Sequence, residues 1–258
     1  MSVARESNQQ GRWAFRSGAV ILKPLLNAIG RRDWRHTERI PEGGVVVAIN
    51  HVSKIDPLMV SHLMYNNGRL PRFLAKDGLF KVKGLGAIMR TWGQIPVARE
   101  GDDAALAFAA AVDGVERGEA VIFYPEGSIT RDPDGWPMRG KTGAARVALM
   151  SGAQVIPIGQ WGAQYTLPAY TGKPSLLPRH VAHYNVGEPV DLDDLRGKEI
   201  TSEVLHEATE RIMAAITALV AEIRGEAPPA ERFDPRREGL SEFGKITKVE
   251  SDAKIERS

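Results

Sequence analysis

The chain has 258 residues, 43% apolar and 26% charged, so it can bury a sizeable core as one large α/β domain or two small ones. The formal net charge of +2 indicates no particular class of partner. Because the sequence contains no cysteine, disulfide scaffolds, thiolate metal sites and cysteine nucleophiles are excluded together. We find no cleavable secretory signal, and no uninterrupted apolar run of the roughly 18 residues that would span a bilayer.

Residues 12–30 combine bulky apolar side chains with Arg16, Lys23 and Pro24, and further arginines lie on both sides. A helix with cationic flanks and an aromatic end is typical of segments that lie in the headgroup region of a membrane. The alternative is a helix whose apolar stripe covers the core of its own domain. We expect residues 1–40 to be an amphipathic membrane-associating segment, which makes the protein peripheral on the cytoplasmic face of a membrane.

From residue 45 onward, short β-branched or apolar runs alternate with longer helical segments. The runs predict strands at 45–49, 72–76, 94–98, 120–124, 154–159 and 181–187. The longer segments predict helices at 57–66, 84–91, 102–117, 142–151 and 201–224. This alternation favours an α/β fold, with residues 41–225 as a single domain in which helices cover a mostly parallel sheet of about six to seven strands.

Two segments lack the periodicity of helices and strands. Residues 160–180 predict a long loop rich in Pro and Gly, and residues 226–258 read as a charged, poorly ordered tail. In parallel sheets the functional side chains come from loops at the carboxyl ends of the strands. The residues that follow each predicted strand are therefore the candidates for a site.

A histidine and an aspartate follow the first predicted strand, in the segment NHVSKIDP at residues 50–57. Pro57 suits the first position of a helix and Asp56 its N-cap, so His51 lies in the turn before that helix. Such a turn allows the carboxylate to reach the imidazole, fix its tautomer and raise the basicity of its other nitrogen. Deprotonation of an alcohol requires such a base. The alternative is that Asp56 only caps the helix and His51 is an ordinary polar turn residue.

A second polar turn, PEGSITR at residues 125–131, follows the predicted strand at 120–124. Gly127 would let the backbone approach a ligand closely, and N–H groups there could hold an oxyanion. Glu126 and Arg131 could grip polar groups of a substrate. The alternative is a surface turn with a chance pair of charges.

Arg99 directly follows the predicted strand at 94–98. A guanidinium at a strand end is a good phosphate clamp, because it presents several donors in a planar fork. The alternative is an arginine that is simply solvated at the surface.

Four blocks in order resemble the lysophosphatidic-acid acyltransferases (1-acylglycerol-3-phosphate O-acyltransferases) and their glycerolipid acyltransferase relatives. That family carries N-H-x-x-x-x-D, a strand-end block from Gly to Arg, F-P-E-G-T-R-S, and a strand with V-I-P-[IV]. The matching segments here are Asn50 to Asp56, Gly93 to Arg99, Phe123 to Ser128, and Val155 to Ile158. The family places its arginine two residues after the glycine of the E-G block, whereas here Ser-Ile-Thr separates Gly127 from Arg131. Lys141 and Arg139 could supply that charge instead.

The resemblance implies transfer of a fatty-acyl group from acyl-CoA or acyl carrier protein to 1-acyl-glycerol-3-phosphate, without a covalent acyl-enzyme. By analogy His51 is the general base, Asp56 holds it, and the Gly127 region stabilises the oxyanion. The implied substrate-binding residues are Asn50, Ser53, Arg99, Glu126, Gly127, Ser128, Arg131 and Lys141. We expect no cofactor, metal or nucleic-acid partner. The alternatives are another lysophospholipid or glycerol-phosphate acceptor, or a non-catalytic lipid-binding protein.

Other chemistries fit the sequence less well. Residues 135–142 match the P-loop pattern G-x-x-x-x-G-K-[ST], but residues 130–134 before it are not strand-forming, as that motif requires. A serine hydrolase is disfavoured because G-x-S-x-G is absent. His180 and His183 lie three apart on a predicted strand and so point to opposite faces, which argues against a shared metal.

Overall fold

Three neighbouring parallel strands form the centre of a sheet, and every residue of β2 (Val45–Ile49) is buried. Strand β2 pairs with β5 (Ala120–Phe123) on one side and with β6 (Gln154–Trp161) on the other. Such continuous Val and Ile runs are typical of strands covered on both faces. This computed structural model describes residues 12–97, 102–170 and 173–240.

The sheet has seven strands in the order β1-β7-β6-β2-β5-β3-β4. The outer strands are β1 (Gly30–Arg35), β3 (Pro71–Lys76), β4 (Ile95–Val97) and β7 (His180–Val186). All neighbouring strands are parallel except β6 and β7, which are antiparallel. The prediction of an α/β fold with a mostly parallel sheet of six to seven strands is confirmed.

Helices cover both faces of the sheet. In the described ranges the α-helices are α1 (Arg12–Ile29), α2 (Asp56–Asn66), α3 (Asp77–Lys81), α4 (Leu85–Thr91), α5 (Asp102–Glu116), α6 (Gly143–Ser151), α7 (Ala163–Thr166) and α8 (Ser202–Arg224). Because successive strand side chains point to opposite faces, Val47 packs with Leu26 of α1 and Leu63 of α2. Its neighbour Val46 packs on the other face in a cluster that contains Ile212 of α8.

Strand β1 lies on the N-terminal side of residue 40, where the membrane-associating segment was predicted to end. Its sequence GRRDWR pairs in parallel with β7 at the edge of the sheet, so residues 30–35 belong to the domain. Short, charged strands are typical of sheet edges, where they discourage pairing with other chains. The segment lacks the apolar run by which the other strands were recognised, and its arginines therefore resembled the flank of a membrane helix.

The segment at 160–180 is less irregular than predicted. It includes the end of β6, the short helix α7, and a β-bridge between Ser53 and Pro168. The described part of the predicted tail, residues 226–240, also packs on the domain, since the Arg139 amide donates to Phe233 O at 2.9 Å. Residues 241–258 lie outside the described ranges.

The first helix, α1, packs partly against the domain and is partly exposed to solvent. Leu26 is buried in the core, whereas Val20 and Leu25 are 74% and 52% exposed. Pro24 lies within this helix. Within the described ranges no helix is long and apolar enough to cross a membrane.

Candidate active site

The two polar turns predicted from the sequence lie side by side. Strands β2 and β5 are parallel neighbours, with Ala48 opposite Phe123, so their carboxyl ends meet at one edge of the sheet. The turn after β2 carries His51, and the loop after β5 carries Glu126. These two segments touch directly, because the His51 backbone N–H donates to Glu126 Oε1 at 2.8 Å.

His51 and Asp56 form the hydrogen-bonded pair that the sequence predicted. The distance from His51 Nδ1 to Asp56 Oδ2 is 2.8 Å. The same carboxylate oxygen accepts the backbone N–H groups of Val52 (2.7 Å) and Ser53 (2.8 Å). The buried Asp56 carboxylate therefore turns back onto the preceding turn, and Ile55 takes the N-cap position of α2. The alternative in which Asp56 only caps the helix is wrong.

This pairing determines how His51 can act. With Nδ1 donating to a carboxylate, the lone pair of a neutral imidazole lies on Nε2. The side chain of His51 is 15% exposed, whereas Asp56 is fully buried. The arrangement can therefore present a basic nitrogen to a ligand while the acid behind it stays out of solvent.

Tyr124 is a part of the site that the sequence reasoning missed. Its ring stacks on the His51 imidazole with centroids 4.2 Å apart and planes inclined by 23°. Burial raises the pKa of the Tyr124 hydroxyl well above its ordinary value, and the nearby charge of Asp56 raises it further. The signal in the sequence was its position as an aromatic residue at the strand end, directly before Pro125.

Glu126 holds backbone groups of two segments. Its Oε1 accepts the His51 N–H, and its Oε2 accepts the Met138 N–H at 3.0 Å. Burial raises the pKa of this carboxyl to about 8, although the N–H groups of Met138 and His51 act to lower it. The sequence predicted that Glu126 grips substrate, but the structure gives both of its oxygens partners within the protein. This geometry favours a role in positioning His51.

Asn50 and Ser53 also have partners within the protein. Asn50 exchanges hydrogen bonds with the backbone of Gln160, through Oδ1 at 2.8 Å and Nδ2 at 3.0 Å. The side-chain amide of Gln160 donates to the backbone carbonyl oxygen of Asn50. Ser53 Oγ donates to Leu167 O at 2.6 Å. All three polar side chains are buried. Asn50 and Gln160 join the ends of β2 and β6, and Ser53 joins the turn after β2 to the segment after α7. Gln160 was not predicted from the sequence.

The loop after β5 does not place all of its predicted binding residues at an open surface. Gly127 has a positive φ of 72°, and its N–H already donates to Tyr124 O at 2.9 Å. Ser128 Oγ lies 3.3 Å from Ile129 O. Arg131 is only 1% exposed, so the predicted grip on substrate by this guanidinium is not supported by its position. The arginine that follows Gly127 at this longer spacing is therefore buried in the domain.

A cleft of about 550 Å³, including its open mouth, lies beside Glu126. Lys141 and Arg139 line it from the loop after β5, and Asp234 and Arg236 line it from the segment after α8. The Lys141 side chain passes over Gly127, where an added Cβ would lie 3.0 Å from Lys141 Cε. The predicted phosphate clamp Arg99 lies outside the described residues.

The described ranges contain no group of three or more His, Cys, Asp and Glu side chains that could hold a metal ion. His183 Nδ1 instead lies 2.9 Å from Asp33 Oδ2, and His180 Nε2 lies 3.5 Å from Ser175 Oγ.

Comparison with known proteins finds similarity to acyltransferases. A family model described as "Acyltransferase" matches residues 31–161. The chain is 26% identical over 163 residues to a chloroplastic 1-acyl-sn-glycerol-3-phosphate acyltransferase of Brassica napus, across 62% of this chain and 45% of that protein. It is 27% identical over 146 residues to an Arabidopsis thaliana chloroplastic protein of the same name, across 56% and 39%. The chain thus spans less than half the length of these curated relatives.

The fold also has a solved counterpart. The crystal structure of the 1-acyl-sn-glycerophosphate acyltransferase from Thermotoga maritima superposes with a TM-score of 0.65. The match covers 87% of this chain and 86% of that one, at 22% sequence identity. At this identity the likeness establishes a common fold.

Proposed function

Since the chain belongs to the acyltransferase family, we propose that it acylates the free hydroxyl of 1-acyl-glycerol-3-phosphate and so forms phosphatidic acid. The donor in this proposal is acyl-CoA or acyl carrier protein. The observation that carries it is the 2.8 Å contact between His51 and the buried Asp56, at the carboxyl end of a central parallel strand. The names of the two plant relatives support the choice of acceptor.

In the proposed mechanism, His51 Nε2 takes the proton of the acceptor hydroxyl as its oxygen attacks the thioester carbonyl. Asp56 keeps the imidazole in the required tautomer and stabilises the imidazolium that forms. Collapse of the tetrahedral intermediate breaks the C–S bond, and the leaving thiolate recovers the proton from His51. The residues at hand therefore account for acyl transfer without a covalent acyl-enzyme.

The oxyanion of that intermediate needs donors near His51. Because the Gly127 N–H already donates to Tyr124 O, we propose the next amide along the chain, that of Ser128, as a donor. Arg99 stays a proposed contact for the acceptor phosphate, together with Lys141 of the cleft.

We further propose that α1 holds the protein against a membrane surface, where the lysophosphatidic acid acceptor resides. The support for this is the exposure of Val20 and Leu25 on a helix whose Leu26 faces the core. Flotation of the chain with anionic vesicles, before and after deletion of residues 1–29, tests the proposal. Loss of binding is expected, and unchanged binding would contradict it. Location on the cytoplasmic face stays a prediction.

The proposed reaction is tested by incubating the purified protein with palmitoyl-CoA or palmitoyl-acyl carrier protein and one of several acceptors. The acceptors are lysophosphatidic acid, lysophosphatidylcholine, lysophosphatidylglycerol and glycerol 3-phosphate, with products identified by mass spectrometry. Phosphatidic acid as the main product is the expected result. A different acylated product would correct the acceptor, and no product with any pair would support a lipid-binding role instead.

A further inference from the structure

The cleft beside Glu126 carries more cationic than anionic groups. The exposed side chains of Arg139, Lys141 and Arg236 line it, together with the acidic residues Asp234 and Glu126. Asp234 pairs with Arg139 at 3.3 Å, and Glu126 is buried with both oxygens on backbone N–H groups. A ligand that enters the cleft therefore meets a surplus of positive charge.

The floor of the cleft adds to this preference for anions. Helix α6 (Gly143–Ser151) begins directly after Thr142, which lines the cleft. The positive end of a helix dipole favours an anion within its first turn. This is not a P-loop, however, because the Lys141 N–H donates to Pro125 O at 2.8 Å and, in the described residues, no strand ends directly before residue 135.

One wall of the cleft comes from the segment after α8, at residues 232–240, which we call the C-terminal wall. Arg232 is ion-paired with Glu210 of α8, and Phe233 O accepts the Arg139 N–H at 2.9 Å. The turn that carries Arg236 is closed by its own N–H, which donates to Asp234 Oδ1 at 3.0 Å. The buried Pro235 accepts from the Leu240 N–H at 2.8 Å. The wall is thus a bonded part of the domain.

We propose that the C-terminal wall completes a phosphomonoester site, in which Arg139, Lys141 and Arg236 are the cationic groups. Guanidinium groups bind phosphate oxygens with paired donors, and lysine adds a mobile point charge. The arginine of the E-G block does not serve here, since Arg131 is 1% exposed and does not line the cleft. Arg236, which comes from a segment remote in sequence, supplies the cation on the side of the cleft formed by the C-terminal wall.

The phosphate that occupies the site follows from the proposed function, on which this inference rests. The acceptor of that reaction carries a phosphomonoester at its glycerol, and acyl-CoA, where it is the donor, carries one at the 3′ position of its ribose. Two soluble probes represent these groups without any acyl chain, namely glycerol 3-phosphate and adenosine 3′,5′-bisphosphate.

Calorimetric titration of the full chain with each probe tests the site without depending on catalysis. We expect at least one probe to bind, and Arg236→Ala to weaken its binding about tenfold, as loss of a hydrogen bond to a charged group should. Arg237→Ala is the matched control, because this neighbouring arginine is exposed and pairs with Glu231 at 3.7 Å. Arg236→Lys should restore part of the affinity. The proposal is overturned if neither probe binds to the wild type, or if Arg236→Ala and Arg237→Ala bind the probe with the same affinity.

The two probes and the reaction separate the remaining possibilities. Weaker binding of glycerol 3-phosphate alone assigns the site to the acceptor, and the KM for lysophosphatidic acid should rise with it. Weaker binding of the bisphosphate alone assigns the site to the donor, and palmitoyl-3′-dephospho-CoA should then be insensitive to Arg236→Ala. If the wild type binds a probe through Arg236 but transfers no acyl group, the site stands and the proposed function fails.

Discussion

The turn at residues 50–56 and the loop at residues 124–142 leave neighbouring strands, yet they are built differently. In the short turn, one oxygen of Asp56 holds an imidazole and two backbone N–H groups, so few conformations satisfy it. The long loop has no helix or strand, and it is held through Glu126, through Thr130 and through packing on Arg224. The short turn can fix the orientation of a base, whereas the long loop can accommodate insertions and still hold the turn in position.

The loop serves the turn through the backbone of His51. Its N–H donates to Glu126 Oε1, and its C=O accepts the Thr130 N–H at 2.7 Å. Thr130 Oγ1 in turn donates to Trp136 O at 2.7 Å. The loop therefore accommodates the three residues between Gly127 and Arg131 and still holds the His51 backbone through both hydrogen bonds.

The sharpest test of the turn is Asp56→Asn, which should lower kcat by about 10²–10⁴ while the fold persists. An Asn oxygen in the place of Asp56 Oδ2 can still accept from His51, Val52 and Ser53, but the neutral amide holds the imidazole less strongly and does not stabilise the imidazolium that forms. Thiol release at saturating substrates measures kcat, and circular dichroism checks the fold. Asp193→Asn, at an exposed position, should change neither. Full activity of Asp56→Asn would remove the orienting role.

Glu126→Gln tests the connection between the loop and the turn through pH. Because burial raises the pKa of Glu126 from 4.5 to about 8, the native state keeps a proton that the unfolded chain releases. This group therefore stabilises the fold fully below its unfolded pKa, and its contribution is lost as pH rises toward about 8, by up to about 1.4 kcal/mol per pH unit. Urea unfolding of wild type across this range should show that decline, and Glu126→Gln should lack that component.

A matched control for this test is Glu231→Gln, because Glu231 is 86% exposed. The control should follow the pH dependence of the wild type. Parallel curves for wild type and Glu126→Gln would contradict the raised pKa of this carboxyl.

The smallest effect is expected from Arg224→Ala, which removes contacts with the loop and with Trp161 of β6. Its guanidinium lies 4.0 Å from the ring of Trp136 and 4.3 Å from that of Trp161, and it donates to Asp134 O at 2.9 Å. We expect a loss of about 1–3 kcal/mol in the free energy of unfolding. Hydrogen exchange should show lower protection at residues 132–138, and little change at 50–56. Equal loss of protection at residues 132–138 and 50–56 would show that the turn depends on the stacking of Arg224 against the two tryptophans.

The difference between the two regions also explains what the sequence could predict. Strand β2 and the helix after it carry strong local signals, so the spacing allowed a His51–Asp56 contact to be predicted, and the family resemblance favoured it over simple capping. Strand β1 was missed because a charged edge strand has no apolar run. The burial of Arg131 depends on how a long loop packs against distant parts of the chain, and local sequence carries no record of that packing.

The C-terminal wall was missed for the same reason. Its contacts join residues far apart in the chain, such as Arg139 with Asp234, and its composition is that of a charged tail. Asn50 and Ser53 were predicted to bind substrate, whereas their hydrogen bonds to Gln160 and Leu167 could be found only in the packed structure.

The central claim is that His51 is the base for acyl transfer. It is tested most directly by thiol release from palmitoyl-CoA or palmitoyl-acyl carrier protein, with and without lysophosphatidic acid, for wild type, His51→Ala and the exposed-histidine control His206→Ala. If His51 is the base, wild type and His206→Ala should show acceptor-dependent release, and the rate should be lower by about 10²–10⁴ in His51→Ala. Acceptor-dependent release by His51→Ala at the rate of the wild type would contradict it.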